Sequence, residues 1–266
     1  MAAKILIGTP VYDEQVLVPY HVSILNLMAR FQGRTDVGFV MALPTSSLIS
    51  FSRNVLATRV LEDASLTHLL FIDADMGFRP ELIEKMLAFD EPYVGAFCPA
   101  RSMNYETFAK LARERPEATD LKDISQAYVG EPWRDGRGVG QVRGEFLRAS
   151  RVGTGILLLQ RTVIEQMREA FPELWMEQAP AEYRWQGLNA GVFQPFSPLQ
   201  REDGMVIGED ISFGRRWTDT LGGRIWACAT ERITHTGRER YSGVYTSFLR
   251  EKGFAVEQVG DGASQA

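Results

Sequence analysis

Apolar residues along the first hundred positions fall into two alternating rhythms. Lys4 to Gly8, Asp36 to Leu43, Leu69 to Ile72 and Tyr93 to Phe97 are short apolar runs closed by turn residues, the pattern of strands buried on both faces. Between them the spacing turns helical. Residues 15–31 carry Val22, Leu25, Met28 and Ala29, and a second helix opening at Ser50 carries Leu56, Ala57, Val60 and Leu61, with Ser50 or Ser52 placed to cap it. Pro80 suits the first turn of a third helix, whose buried face is Leu82, Ile83, Met86 and Leu87. Strand, helix, strand, helix, strand, helix, strand with short connections predicts half of a doubly wound α/β sheet.

The rhythm breaks between Pro99 and Ser150, where charge and glycine accumulate. The spacing predicts a helix over residues 103–112, an extended return over 141–149, and otherwise loop. Arg151 to Leu159 is a glycine-rich turn running into a buried strand, followed by a helix with Val163, Ile164 and Met167. Residues 171–203 gather Trp175, Tyr183, Trp185, Phe193 and Phe196 among prolines and glycines, which suits either a satellite core or a platform for a ring-shaped ligand. A helix opening at Asp210 as its cap carries Phe213, Trp217 and Leu221, and Gly222-Gly223 ends it before a strand over 224–229. Beyond Gly253 the chain turns small and polar, as a frayed tail does.

The 266 residues, 45% hydrophobic and 24% charged, suffice for one α/β domain with a full core. A net charge of −5 argues against broad nucleic-acid binding. Cys98 and Cys228 lack motif spacing and read as buried thiols. The first residues do not follow the order of a signal peptide, and no apolar run approaches the roughly 18 residues that span a bilayer. A reducing cytoplasm is therefore the expected compartment.

Candidate chemistry starts where the third strand stops. Asp73 and Asp75, one residue apart at its carboxyl end, stand where open α/β sheets bind ligands, and two acids so spaced can reach one hard cation. An acidic turn punctuated by Gly77 and Pro80 is the plain alternative. Arg53 and Asn54 fall in the first turn of the second helix, off its apolar face, where Arg53 is either a diphosphate partner or a surface arginine. Gly208-Glu209-Asp210 repeats the design of an apolar approach ending in acids, and His235 is one of three histidines.

Taken in order, Gly8-Thr9-Pro10, Ser52-Arg53-Asn54, Asp73-Ala74-Asp75, Gly153-Thr154-Gly155, Gly208-Glu209-Asp210 and His235-Thr236-Gly237 resemble the motif series of GT-A fold glycosyltransferases, close to the family 2-like enzymes. The series spans residues 4–243; the 99–150 loop and the aromatic stretch around Trp185 match no motif of that family. The resemblance implies an α/β GT-A fold, with a mostly parallel Rossmann-like sheet covered by helices and a smaller acceptor-side region. It implies one domain over 1–250, divided into a nucleotide-binding half (1–98) and an acceptor-side half (99–250), with a flexible tail over 251–266. It implies transfer of a sugar from a UDP- or GDP-sugar to a hydroxyl of a glycan, protein or lipid-linked acceptor. Mn²⁺ or Mg²⁺ would be held by Asp75, with Asp73 nearer the ribose or the cation's waters and His235 completing the set. Nucleotide-sugar contacts would fall to Thr9, Pro10, Tyr12, Arg53, Asp73, Ala74, Asp75, Gly153, Thr154 and Gly155. Asp210 would be the general base of an inverting reaction and Glu209 would hold the acceptor or the helix start.

Three rivals share parts of this pattern. A haloacid-dehalogenase-type phosphatase also opens on strand–Asp-x-Asp, but near its amino terminus and without glycine at the position of Gly77. A nucleotidyltransferase needs a glycine- and lysine-rich opening loop, whereas Gly8 to Tyr12 holds no lysine. A non-catalytic sugar-nucleotide or glycan-binding relative has no chemical need to keep Asp73, Asp75, Asp210 and His235 together.

Overall fold

In a computed structural model, residues 2–237 and 240–260 are described. The first part runs β1 (Ala3–Gly8), α1 (Val18–Phe31), β2 (Val37–Ala42), α2 (Ile49–Glu62), β3 (His68–Ile72), β4 (Met76–Gly77), α3 (Pro80–Phe89) and β5 (Tyr93–Ala96). The middle part contains β6 (Cys98–Met103), α4 (Tyr105–Glu114), α5 (Leu121–Ser125), β7 (Gln126–Val129), β8 (Glu131–Pro132), β9 (Gly140–Arg143), β10 (Phe146–Arg151), β11 (Ile156–Gln160) and α6 (Arg161–Ala170). Then follow β12 (Trp175–Met176), α7 (Ala181–Trp185), β13 (Val192–Phe193), α8 (Glu209–Arg215), β14 (Ile225–Cys228), β15 (Ile233–Thr236), β16 (Arg240–Gly243), α9 (Tyr245–Glu251) and β17 (Val256–Gln258).

Ten strands form one sheet in the order β17-β9-β10-β14-β5-β11-β3-β1-β2, with β8 beside β10. β2 and β3 flank β1 in parallel, and β14 lies parallel to β5. β11 runs antiparallel to both β3 and β5, and β10 antiparallel to β14, β9 and β8. All the other strands of the sheet therefore point the same way, the mostly parallel α/β architecture expected from the alternation of strands and helices.

Period-2 alternation divides the core cleanly. Ile5, Ile7, Leu70, Ile72, Ile156 and Leu158 face the layer of α1 and α3; Leu6, Leu69, Phe71, Leu157 and Leu159 face the layer of α2 and α6. Both cysteines are buried free thiols.

Several expectations need correction. The buried stripe of α1 is Tyr20, Ile24, Leu27 and Phe31, while Val22 and Leu25 are exposed: the helix turns the first stripe toward the core layer that holds Ile5, Ile7, Leu82 and Ile83. α2 has no serine cap; Ser46 Oγ accepts the Leu48 N–H, and Ser52 Oγ donates to Pro44 O. It is buried almost all round, so Arg53 and Asn54 do not lie on a solvent face. Asp210 is not the cap of α8; Gly208 holds that position. The 99–150 stretch carries two helices and five strands, because β6 and β7 pair with each other while β8 to β10 join the main sheet. For the 171–203 aromatics the core reading is the one that holds: Phe193 and Phe196 are fully buried, Tyr183 packs on Phe51, and of the five Trp185 alone stands out, 81% exposed. Val256 to Gln258, inside the stretch expected to fray, pair with β9 at the sheet's edge; residues 261–266 lie outside the described residues.

Candidate active site

The Asp73-Ala74-Asp75 turn is fixed by backbone from three directions. The Asp73 N–H donates to Gly155 O at 2.9 Å, the Leu17 N–H to Ala74 O at 2.9 Å, and the Thr236 N–H to Asp75 O at 3.0 Å. This is why two acids can be held against the edge of an apolar sheet without collapsing on each other. Gly153 and Gly155 allow the close approach. A Cβ at Gly155 would lie 2.7 Å from the Met76 side chain, and one at Gly153 2.7 Å from Val129 and 3.7 Å from Asp210 Oδ2.

A cavity of about 90 Å³ opens there, lined by Arg53, Asp73, Gly153, Thr154, Gly155, Asp210 and His235, with Met76, Ala96, Cys98 and Val129 as its apolar walls. Five of the six motifs thus meet in one place, Gly8-Thr9-Pro10 being the exception. Asp210 also lines a larger polar cleft of about 360 Å³, with Glu131, Arg151, Arg215 and Asp219. Thr9, Pro10 and Tyr12 do not line the cavity. Thr9 is buried with its hydroxyl 2.7 Å from the Tyr20 hydroxyl, and Tyr12 stands 65% exposed at the start of a turn. In that turn Asp13 and Glu14 both take left-handed φ, 52° and 54°.

Arg53, 3% exposed, is the buried cation of the site. Its guanidinium donates to Glu209 and stands 3.4 Å from both carboxylate oxygens of Asp73. Asn54 Oδ1 beside it accepts the Phe196 N–H at 3.0 Å, tying the motif to the aromatic core. Arg53 Nε and Thr154 Oγ1 are buried without a hydrogen-bond partner among the described residues, and both residues line the cavity.

Asp75 looks the other way. Its Oδ2 lies 3.3 Å from His235 Nε2, and the Arg101 guanidinium spans both: one terminal nitrogen donates to Asp75 and Nε donates to His235 Nε2 at 2.9 Å. His235 Nδ1 donates to Pro99 O at 2.8 Å, which fixes the tautomer and leaves the Nε2 lone pair facing Asp75. Burial holds the His235 pKa below the ordinary histidine value and the nearby Arg101 charge adds to this, against the Pro99 carbonyl. Burial, with Asp73 second, pushes the Cys98 thiol far up; burial, with Asp210 second, does the same to Tyr93. The site therefore holds no thiolate nucleophile.

The expected metal trio is not gathered as one cluster: among the described residues no three His, Cys, Asp or Glu side chains form a metal-binding group. The reason is Arg53, which takes Asp73 as its partner and leaves Asp75 with His235. Arg101 had no motif to announce it. The one usable signal was its place just past β5, at the sheet edge where ligands bind.

No family model and no curated protein sequence matches this chain. Among solved structures it is similar to A197 from STIV, at 13% identity and a TM-score of 0.46, covering 88% of this chain and 86% of that one. It is also similar to a protein assigned as a glucose-1-phosphate thymidylyltransferase from Bacillus anthracis, in complex with sucrose, at 10% identity and a TM-score of 0.38 over 95% of this chain and 94% of that one. A third similarity, to residues 1–349 of S. aureus TarS, has 11% identity and a TM-score of 0.32 over 69% of this chain and 53% of that one. No helix among the described residues is long and apolar enough to cross a membrane.

Proposed function

We propose that the chain is a glycosyltransferase that moves a sugar from a UDP- or GDP-sugar to an acceptor hydroxyl, with inversion at the anomeric carbon. The observation that carries this reading is the convergence of Asp73, Gly153 to Gly155, Asp210 and His235 on one small cavity at the carboxyl edge of the sheet. Asp210 separates that cavity from the larger polar cleft, the position required of a base that meets the acceptor as it approaches the donor. The acceptor oxygen attacks the anomeric carbon while Asp210 takes its proton. The bond from that carbon to the diphosphate oxygen breaks, and its electron pair leaves with the nucleoside diphosphate. Arg53 holds Asp73 and Glu209 in place; Glu209 fixes the start of α8, so that Asp210 points at the cavity.

Asp75 and His235 suit Mn²⁺ or Mg²⁺, one hard oxygen and one imidazole nitrogen oriented by a carbonyl, with the remaining ligands drawn from the diphosphate, water and the neighbourhood of Asp73. When bound, such a cation offsets the charge that grows on the leaving diphosphate. A nucleotidyltransferase reading fares worse, since no lysine among the described residues lines the cavity.

The test is calorimetric titration of chelator-stripped protein with UDP and with GDP, each with and without Mn²⁺, beside Asp75→Ala. Binding that needs both the metal and Asp75 supports the reading. If neither nucleotide binds in a metal-dependent way, the UDP- and GDP-sugar assignments fail.

A further inference from the structure

Asp75 Oδ2 and His235 Nε2 are both acceptors, 3.3 Å apart, with the histidine proton committed to Pro99 on the far side of the ring. Two lone pairs facing each other at that distance repel unless a cation is shared between them. Here the shared cation is part of the chain: Arg101 donates to both atoms at once. Its stem is accommodated by Gly237, where an added Cβ would lie 2.9 Å from Arg101 Cδ, so the last residue of the His235-Thr236-Gly237 motif makes room for the arginine that reaches back over the histidine. The guanidinium is half-exposed, on a long flexible stem, and has no other partner among the described residues. It can therefore leave at modest cost, whereas Arg53, nearly fully buried against Asp73 and Glu209, cannot.

We infer that Arg101 is an internal competitor for the Asp75–His235 pair, one that makes cation binding depend on the diphosphate. A divalent cation alone must displace a charge-assisted contact to both ligands. A cation arriving with a nucleoside diphosphate brings oxygen ligands of its own, and the diphosphate gives the released guanidinium a new anionic partner. The consequence is coupling: each ligand binds better in the presence of the other. This rests on the proposed assignment of Asp75 and His235 as cation ligands.

The experiment titrates Mn²⁺ alone, then Mn²⁺ in saturating UDP or GDP, into the chelator-stripped full chain by calorimetry, for wild type, Arg101→Gln, Gly237→Ala and Asp75→Ala. Competition requires that Arg101→Gln bind Mn²⁺ alone about three- to fivefold more tightly than wild type, the range an exposed ion pair supports, and lose most of the gain that nucleotide confers. Gly237→Ala, which dislodges the stem but keeps the guanidinium, should shift affinity the same way by a smaller factor. Mn²⁺ binding that needs Asp75 but is equal in wild type and Arg101→Gln would overturn the competition while leaving the cation site standing. Nucleotide binding that ignores Mn²⁺ and is lost in Arg101→Gln would overturn it too, and would make Arg101 the cation's substitute. Absence of any Asp75-dependent Mn²⁺ binding in all four proteins would sink the proposed metal assignment along with it.

Discussion

Asp73 and Asp75 are separated by one alanine, yet they belong to two different walls. On the inner wall, Asp73 faces Arg53, a guanidinium that α2 carries into the core and fastens between Asp73 and Glu209. On the outer wall, Asp75 faces Arg101, which reaches in from β6 with half its side chain in solvent. The pairs look alike on paper, an arginine and a carboxylate each. Burial separates them. An ion pair cut off from water cannot lose one member cheaply, whereas an exposed one exchanges partners with little penalty. The inner pair is thus suited to hold geometry and the outer pair to respond to ligands.

That contrast breaks first at Arg53. Replacing it by leucine strands two carboxylates. Denaturant unfolding should show a loss of about 3 kcal/mol, the low end for a disrupted buried pair because Asp73 and Glu209 keep 23% and 22% of their side chains exposed. A loss near zero would erase the distinction between the walls. Asp210→Asn should next lower nucleotide release from a UDP- or GDP-sugar by about 100- to 1,000-fold, the usual worth of a general base, while nucleotide affinity measured by calorimetry stays put. An equal fall in affinity would mean that Asp210 binds the donor instead.

Acid sensitivity gives a third test away from the cavity. Burial depresses the His68 pKa in the fold from its ordinary 6.5, although Asp90 pulls the other way. The unfolded chain then takes up the proton first as pH falls. The stabilising contribution is complete above about 6.5 and is lost as pH drops toward the folded value. His68→Gln should flatten that part of a stability–pH profile between pH 7.5 and 5.5, measured by denaturant midpoint, and an unchanged slope would assign the loss to carboxylates. The smallest effect belongs to the outer wall. Arg101→Gln should change unfolding free energy by less than about 1 kcal/mol, as exposed pairs do. A large loss would show that Arg101 is structural.

The βα units before Phe97 were legible because each is a local pattern: an apolar run, a turn, a helical stripe. Asp73 and Asp210, which the structure brings to one cavity, stood out because each follows a short apolar run that ends in acids. What stayed hidden depends on long-range pairing. Nothing local in Ile156 to Gln160 says that this strand inserts antiparallel between β3 and β5. Arg53 reads as either a surface arginine or a diphosphate partner because the carboxylate it meets, Glu209, lies 156 residues away. Val22 and Leu25 seemed core because helical spacing fixes a stripe but not which of two stripes turns inward.

The insertion of β11 also sets an order of events during synthesis. β3 and β5 are complete by Ala96, yet the strand that joins them ends at Gln160. The residue after it, Arg161, then reaches back to the carbonyls of Val60, Leu61 and Asp63 and closes the carboxyl end of α2. While a ribosome is still translating the excursion between them, the emerging amino-terminal half has a split sheet and an unsealed helix, and Asp73 still lacks the Gly155 carbonyl that its N–H will meet. Stalled chains released before residue 160 should therefore be digested by protease as readily as unfolded polypeptide, and resistance should appear only once Arg161 has cleared the exit tunnel.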